Sequence, residues 1–190
     1  MRATVAMLAA ASFAAFSALG PALAQDEEGD GTYTEGEIAE EVEGWLGVTA
    51  ETAADIVSTL FEDLGQPNGY IKGGETAAAL GVGLRYGEGD LVMADGATRQ
   101  VYWQGPSVGW DAGGNASRVF TLIYDLEDAD DIYKRYPGVE GTAYYVGGVG
   151  VNYQRQGSVT LVPMRAGVGL RAGANVGYLK YSRRRAIVPF

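Results

Sequence analysis

Five consecutive residues match the pattern of a hydrolase nucleophile. Gly105, Pro106, Ser107, Val108 and Gly109 satisfy the G-x-S-x-G string, in which a serine on a sharp turn attacks a substrate carbonyl. That serine needs a histidine to accept its proton and must join a strand to a helix. The chain contains no histidine, and a β-pattern continues beyond the string. We therefore predict a turn here and no catalytic serine.

A cluster of acidic residues could supply oxygen ligands to calcium. Five acids lie between Asp125 and Asp131. An EF-hand loop requires alternating ligands and a glycine at its sixth position, but Ile132 and Tyr133 occupy the fifth and sixth positions counted from Asp128. Charge at the beginning of a helix explains these acids better, with a weak calcium site as the alternative.

Other catalytic and cofactor chemistries lack their residues. The absence of cysteine and histidine excludes the usual zinc sites, and no P-loop or G-x-G-x-x-G string occurs among 29 glycines. A glycosidase needs only two carboxylates, but nothing in the sequence pairs any two of the candidates. These candidates are Glu75, Glu88, Asp90, Asp95, Asp111 and Glu140. The sequence thus predicts no cofactor, no metal and no enzymatic activity.

Aromatic residues in predicted strands form the remaining candidate site. On an inner face they belong to the core, which is the favoured interpretation, whereas on an outer face they could stack on sugars or contact lipid. These aromatic residues are Tyr102, Trp103, Trp110, Tyr144, Tyr145, Tyr153, Tyr178 and Tyr181. The ligand surface we predict consists of Tyr102, Trp103, Gln104, Trp110, Arg85 and Arg171.

The first segment has the pattern of an export signal. No charge follows Arg2 until Asp26, and the apolar stretch between them ends in Ala22-Leu23-Ala24. This pattern predicts a signal peptide over residues 1–24 that is cleaved after Ala24. An uncleaved anchor is the alternative, but the apolar part is shorter than the ~20 residues of a membrane span. Without cysteine no lipoprotein anchor forms, so we expect a soluble protein in the periplasm.

Charge is distributed unevenly over the chain. Residues 25–71 contain thirteen acids and no base, whereas residues 72–190 contain eleven acids and thirteen bases. Nucleic-acid binding requires a dense positive surface, so the acidic segment argues against such a partner.

Sequence patterns divide the rest of the chain into three parts. Residues 25–33 read as a disordered acidic leader, and residues 34–66 as two helices that begin after Thr34 and Thr49. Residues 67–190 alternate like strands, with turns at 87–90 and at Asp95-Gly96 and one helix inserted from Glu127 to Tyr136. We predict a mainly β fold: a small closed antiparallel barrel of about eight strands.

Three strings resemble a known family. They are Gly83 to Gly89 (GLRYGEG), Val101 to Asp111 (VYWQGPSVGWD) and Val168 to Lys180 (VGLRAGANVGYLK). They are similar to the envelope integrity protein A family of exported Gram-negative proteins, and the resemblance extends over residues 69–190. The resemblance implies a small soluble periplasmic β-barrel that helps to keep the envelope intact. It implies no catalytic residues in this chain. A weaker similarity to SYLF lipid- and actin-binding domains suggests contact with phospholipid or lipopolysaccharide.

Together these features predict a non-enzymatic periplasmic protein that contributes to envelope integrity. Its expected partner is an envelope lipid, lipopolysaccharide, glycan or periplasmic protein, and its oligomeric state stays open. One alternative is an eight-stranded outer-membrane barrel, although Arg183 to Arg185 and Pro189 interrupt the apolar band of the last strand. The other is a carbohydrate hydrolase that uses paired carboxylates.

Overall fold

A computed structural model describes residues 31–139, 142–166 and 177–185. Within this part, only the backbone is described for residues 77–82 and 107–115. The predicted signal peptide, most of the acidic leader and Arg171 lie outside the described residues.

Two helices precede the sheet, as predicted. Helix α1 spans Glu35–Leu46, and Thr34 and Glu37 form the reciprocal capping box at its start. Helix α2 spans Ala50–Leu64, with Thr49 as its N-cap and Gly65 at its end. The apolar stripes of both helices are buried, which fixes the helices against the sheet.

In the part of the chain that the structure describes, the strands form one antiparallel sheet of eight members, and the predicted mainly β fold class is confirmed. The strands are β1 (Gly69–Met93), β2 (Thr98–Tyr124), β3 (Arg135–Pro137), β4 (Tyr144–Val146), β5 (Val149–Val151), β6 (Gln154–Gln156), β7 (Val159–Ala166) and β8 (Tyr178–Ser182).

Strands β1 and β2 form one long hairpin that dominates the sheet. They pair from Gly69 opposite Ile123 to Val92 opposite Thr98, and the predicted turn at Asp95-Gly96 joins them. The turns predicted at residues 87–90 and 105–109 are wrong, because both segments lie inside paired strands. Cross-strand hydrogen bonds keep these glycine-rich segments extended although glycine has little strand propensity.

The two halves of β2 pair with different strands of the curled sheet. Residues 102–104 pair with β8, whereas residues 118–124 pair with β7. At the ends of β1, the Ala94 amide donates a hydrogen bond of 3.0 Å to the Asn68 carbonyl. One isolated bridge links Gly138, just after β3, to Gln154 of β6. The sheet is therefore curled and barrel-like. It differs in its closure from the closed barrel that the sequence predicts.

Alternation along β2 separates two apolar cores. Val119 and Ile123 point into the curled sheet, whereas Phe120 and Leu122 point outward against α1 and α2. The indole N–H of Trp45 donates to the carbonyl of Val119 at 2.9 Å and anchors α1 on the sheet. Packed side chains thus fill one end of the sheet interior, and helices cover part of its outer face.

The third helix predicted over Glu127 to Tyr136 is wrong. The structure has a short 3₁₀ helix, Ala129–Ile132, followed directly by strand β3. Tyr136 is fully buried and pairs with Leu179 of β8, and this tertiary pairing overrides the local helical signal.

Candidate functional site

A cleft of about 740 Å³ lies along the β1–β2 hairpin. Residues 74–76 and 86–88 of β1, residues 102–104 and 116–117 of β2, and Arg185 line it. Its size is typical of pockets that hold a small molecule or one part of a larger ligand. We call it the hairpin cleft.

Three of the six predicted ligand-surface residues line the hairpin cleft: Tyr102, Trp103 and Gln104. Arg85 is buried and lies in ionic contact with Glu75, a lining residue. Trp110 lies in β2, but its side chain is outside the described set, as is all of Arg171.

The floor of the hairpin cleft is a buried ionic cluster around Glu75. Arg165 Nε donates to Glu75 Oε1 at 3.0 Å, and the Arg85 guanidinium lies 3.1 Å from the same oxygen. Trp103 Nε1 donates to Glu75 Oε2 at 2.8 Å. Arg165 also donates to Asn152 Oδ1 at 2.6 Å. The cluster joins β1, β2 and β7, so it holds the halves of the hairpin at fixed positions.

Glycines create the space that Trp103 occupies. A Cβ atom on Gly87, its cross-strand partner, would lie 2.1 Å from Trp103 Cε2, and one on Gly73 would lie 2.7 Å from Cη2. Each distance is far below van der Waals contact, so only glycine fits at these positions. The indole therefore lies directly on the β1 backbone, with its N–H directed to Glu75.

The cluster keeps Glu75 ionised. Burial opposes ionisation, yet the guanidiniums of Arg165 and Arg85 and the hydrogen bonds from Arg165 and Trp103 hold the pKa of Glu75 below its usual value. Burial, reinforced by the charge of Arg165, lowers the pKa of Arg85 to about 10. A catalytic acid requires a raised carboxyl pKa, so Glu75 is unsuited to protonate a leaving group.

Gln104 is the unsatisfied polar group of the hairpin cleft. Its side chain is 1% exposed, and its amide Nε2 has no hydrogen-bond partner among the residues the structure describes. Buried polar atoms are normally paired, so an unpaired amide in a cleft wall marks a position where a ligand can bind.

Charge at the rim is neutralised. Arg185 donates to Glu88 Oε2 at 2.6 Å, and both side chains are exposed. Among the described residues that line the hairpin cleft, the carboxylates are Glu75 and Glu88, and each faces a guanidinium. The described geometry therefore gives little support to a paired-carboxylate hydrolase.

Three of the five acidic residues considered for calcium are engaged with protein groups. Asp128 Oδ1 accepts from the Asp130 amide at 2.8 Å and caps the 3₁₀ helix. Asp130 contacts Arg99 and Arg183, and Asp131 contacts Lys134. Within the described ranges, no group of three or more acids has a geometry suited to a metal.

Glu75, Arg165 and Asn152 were not predicted to be members of one cluster. A signal was present for two of them. Glu75 lies four residues after the inward-facing Ile71, and Arg165 lies four residues after Leu161, so strand alternation directs both charges inward. Their meeting depends on the pairing of β2 with both β1 and β7, which alternation alone does not give.

Comparisons with known proteins agree with this fold. A β-barrel-like, uncharacterized protein from Brucella abortus has a crystal structure similar to this chain, with 44% identity and a TM-score of 0.76. The match covers 84% of this chain and 99% of that one. A search of curated proteins finds no match. In the described part of the chain, neither helix has the length and apolar character of a transmembrane segment.

The family comparison covers both the helices and the sheet. The model of one family, described as Envelope integrity protein A, matches residues 31–190. This range includes every element described above and the whole hairpin cleft. The resemblance seen in the sequence is therefore confirmed, and the chain belongs to the Envelope integrity protein A family.

Proposed function

We propose that this chain is an exported, non-enzymatic protein that supports cell-envelope integrity by binding an envelope component in the hairpin cleft. The family description supports the link to the envelope. The predicted signal peptide over residues 1–24 supports export to the periplasm.

The hairpin cleft carries this proposal. It combines aromatic side chains, an unpaired buried amide and a floor fixed by ionic bonds, which together form a rigid, partly polar surface. Such a surface suits binding, because a preorganised site loses little conformational entropy when a ligand is held. Both oxygens of the Glu75 carboxylate already have partners in Trp103, Arg85 and Arg165. This favours a structural role for the carboxylate over a catalytic one.

The surface formed by helices α1 and α2 is poorly suited to contact anionic lipid. Helices α1 and α2 expose many carboxylates, among them Glu40, Glu43, Glu51 and Glu62. Anionic surfaces repel such a face at low ionic strength. We therefore expect any contact with anionic lipid to be made by the surface around the hairpin cleft and not by the helices.

Export and envelope function can be tested together in the host bacterium. Cells without the gene should become sensitive to a bile-salt detergent, and the full chain should restore resistance. The mature protein should be released by osmotic shock without detergent. A chain that lacks residues 2–24 should stay in the cytoplasm and fail to restore resistance. Restoration by that leaderless chain would contradict the proposed location.

A further inference from the structure

We propose that the hairpin cleft binds a saccharide unit of an envelope glycan. This proposal rests on the proposed function and adds the chemical class of the ligand. Three properties of the lining carry it: aromatic side chains, groups that pair with hydroxyls, and the absence of an uncompensated charge among the described lining residues.

The aromatic groups suit the apolar faces of a sugar ring. Tyr86 and Tyr102 are partly exposed and line the cleft. Ring C–H groups next to sugar oxygens carry partial positive charge, and the face of an aromatic ring is negative. Trp103 has a different role, because it is 2% exposed and its N–H is bound to Glu75, so it supports the floor.

The polar groups suit hydroxyls better than an acyl chain. The Gln104 amide can donate and accept, as a sugar hydroxyl can, and the torsion that orients it has a broad energy well. Thr76 and Ser117 add two hydroxyls to the same lining. An acyl chain would leave the Gln104 amide buried and unpaired, which is unfavourable.

The balance of charge argues against a phosphate group as the main recognised feature. Arg185 is the one cationic side chain in the described lining, and Glu88 already accepts its hydrogen bond at 2.6 Å. Sites that bind phosphate usually direct free guanidinium or ammonium groups at the ligand. A neutral, hydroxyl-rich ligand therefore fits these residues best.

The proposal can be tested by calorimetric titration of the mature chain, residues 25–190. The probes are the lipid-free oligosaccharide released from the host's lipopolysaccharide, peptidoglycan fragments from the same cells, and phosphatidylglycerol vesicles. We expect a saccharide probe to bind. Gln104→Met should weaken that binding about tenfold, as expected for the loss of one hydrogen bond in the site. Tyr102→Ala should have a similar effect.

Matched variants separate loss of the site from loss of the fold. Tyr102→Phe keeps the ring and should bind like the wild type, and Glu62→Gln changes an exposed position on α2. Circular dichroism should show that all variants are folded. Binding to vesicles but to no saccharide would overturn the ligand class and leave the proposed function in place. Saccharide binding that is unchanged in Gln104→Met and Tyr102→Ala would place the sugar outside the cleft and also overturn the proposal.

Discussion

The indole N–H of Trp103 donates a hydrogen bond of 2.8 Å to the buried carboxylate of Glu75. The two residues lie on different strands of one hairpin, and 28 positions separate them in the chain. Two guanidiniums on β1 and β7 contact the same carboxylate. The contact therefore connects the fold of the sheet to the shape of the hairpin cleft.

Removing the charge of Glu75 should destabilise the protein strongly. Glu75→Gln leaves Arg85 and Arg165 buried without their counter-ion, and breaking such a cluster costs about 3–5 kcal/mol. Urea unfolding followed by circular dichroism measures the change. The control is Glu88→Gln, because Glu88 lies in an exposed pair with Arg185 that should contribute only about 0–1 kcal/mol. Equal effects of the two variants would contradict a structural role for the buried cluster.

Acid should weaken the fold through the same carboxylate. The folded state holds the pKa of Glu75 below the ordinary value of 4.5. The stabilisation is therefore complete above that value and is lost as the pH falls through the lower, folded-state pKa. The free energy of unfolding should decrease more between about pH 5 and pH 3 in the wild type than in Glu75→Gln. Identical pH dependence in the two proteins would show that Glu75 is not the group responsible.

Adding a methyl group at Gly87 should disturb the indole of Trp103. The new Cβ would lie 2.1 Å from the ring, so Gly87→Ala should cost about 1–3 kcal/mol by overpacking. Gly74→Ala is the control on the same strand, because its Cβ would have no atom within 4 Å. Combining Gly87→Ala with Trp103→Leu should cost less than the sum of the single changes, since the clash is removed. Strict additivity would contradict the contact.

These contacts show which parts of the fold the sequence could predict. Helices α1 and α2 were predictable because capping residues and apolar stripes are local signals. The residue-by-residue pairing of the long hairpin was not predictable. Residues 87–90, which include Gly87 and Gly89, resemble a turn until the facing strand is known. Gly147 and Gly148 show the reverse case: they lie in the range predicted to alternate like strands, yet they form the turn between β4 and β5 with positive φ values.

The candidate site was partly predictable for the same physical reason. Tyr102, Trp103 and Gln104 are consecutive residues of one strand, and their types alone suggested a ligand surface. Glu75 and Arg165 are 90 positions apart, and their contact exists only after β2 has paired with strands on both sides. Contacts of this kind depend on tertiary register, which no local pattern encodes.

Alkaline conditions should unfold the protein as a buried tyrosine ionises. Burial, with a contribution from the charge of Asp131, raises the pKa of Tyr136 to about 12. The stability that depends on its neutral form is complete below 10, the ordinary value, and is lost as the pH rises toward 12. The last part of the rise in phenolate absorbance should therefore accompany the loss of the circular dichroism signal, and Tyr136→Phe should lose less stability between pH 9 and pH 12. Full tyrosine ionisation near pH 10 in a folded protein would contradict this prediction.

The most direct test of the central claim is complementation with a protein altered only in the hairpin cleft. Tyr102→Ala combined with Gln104→Met should be exported and folded but should fail to restore detergent resistance to cells without the gene. Tyr102→Phe and the exposed helix variant Glu62→Gln should restore it fully. Full restoration by the folded double variant would contradict the claim that this protein supports the envelope through the hairpin cleft.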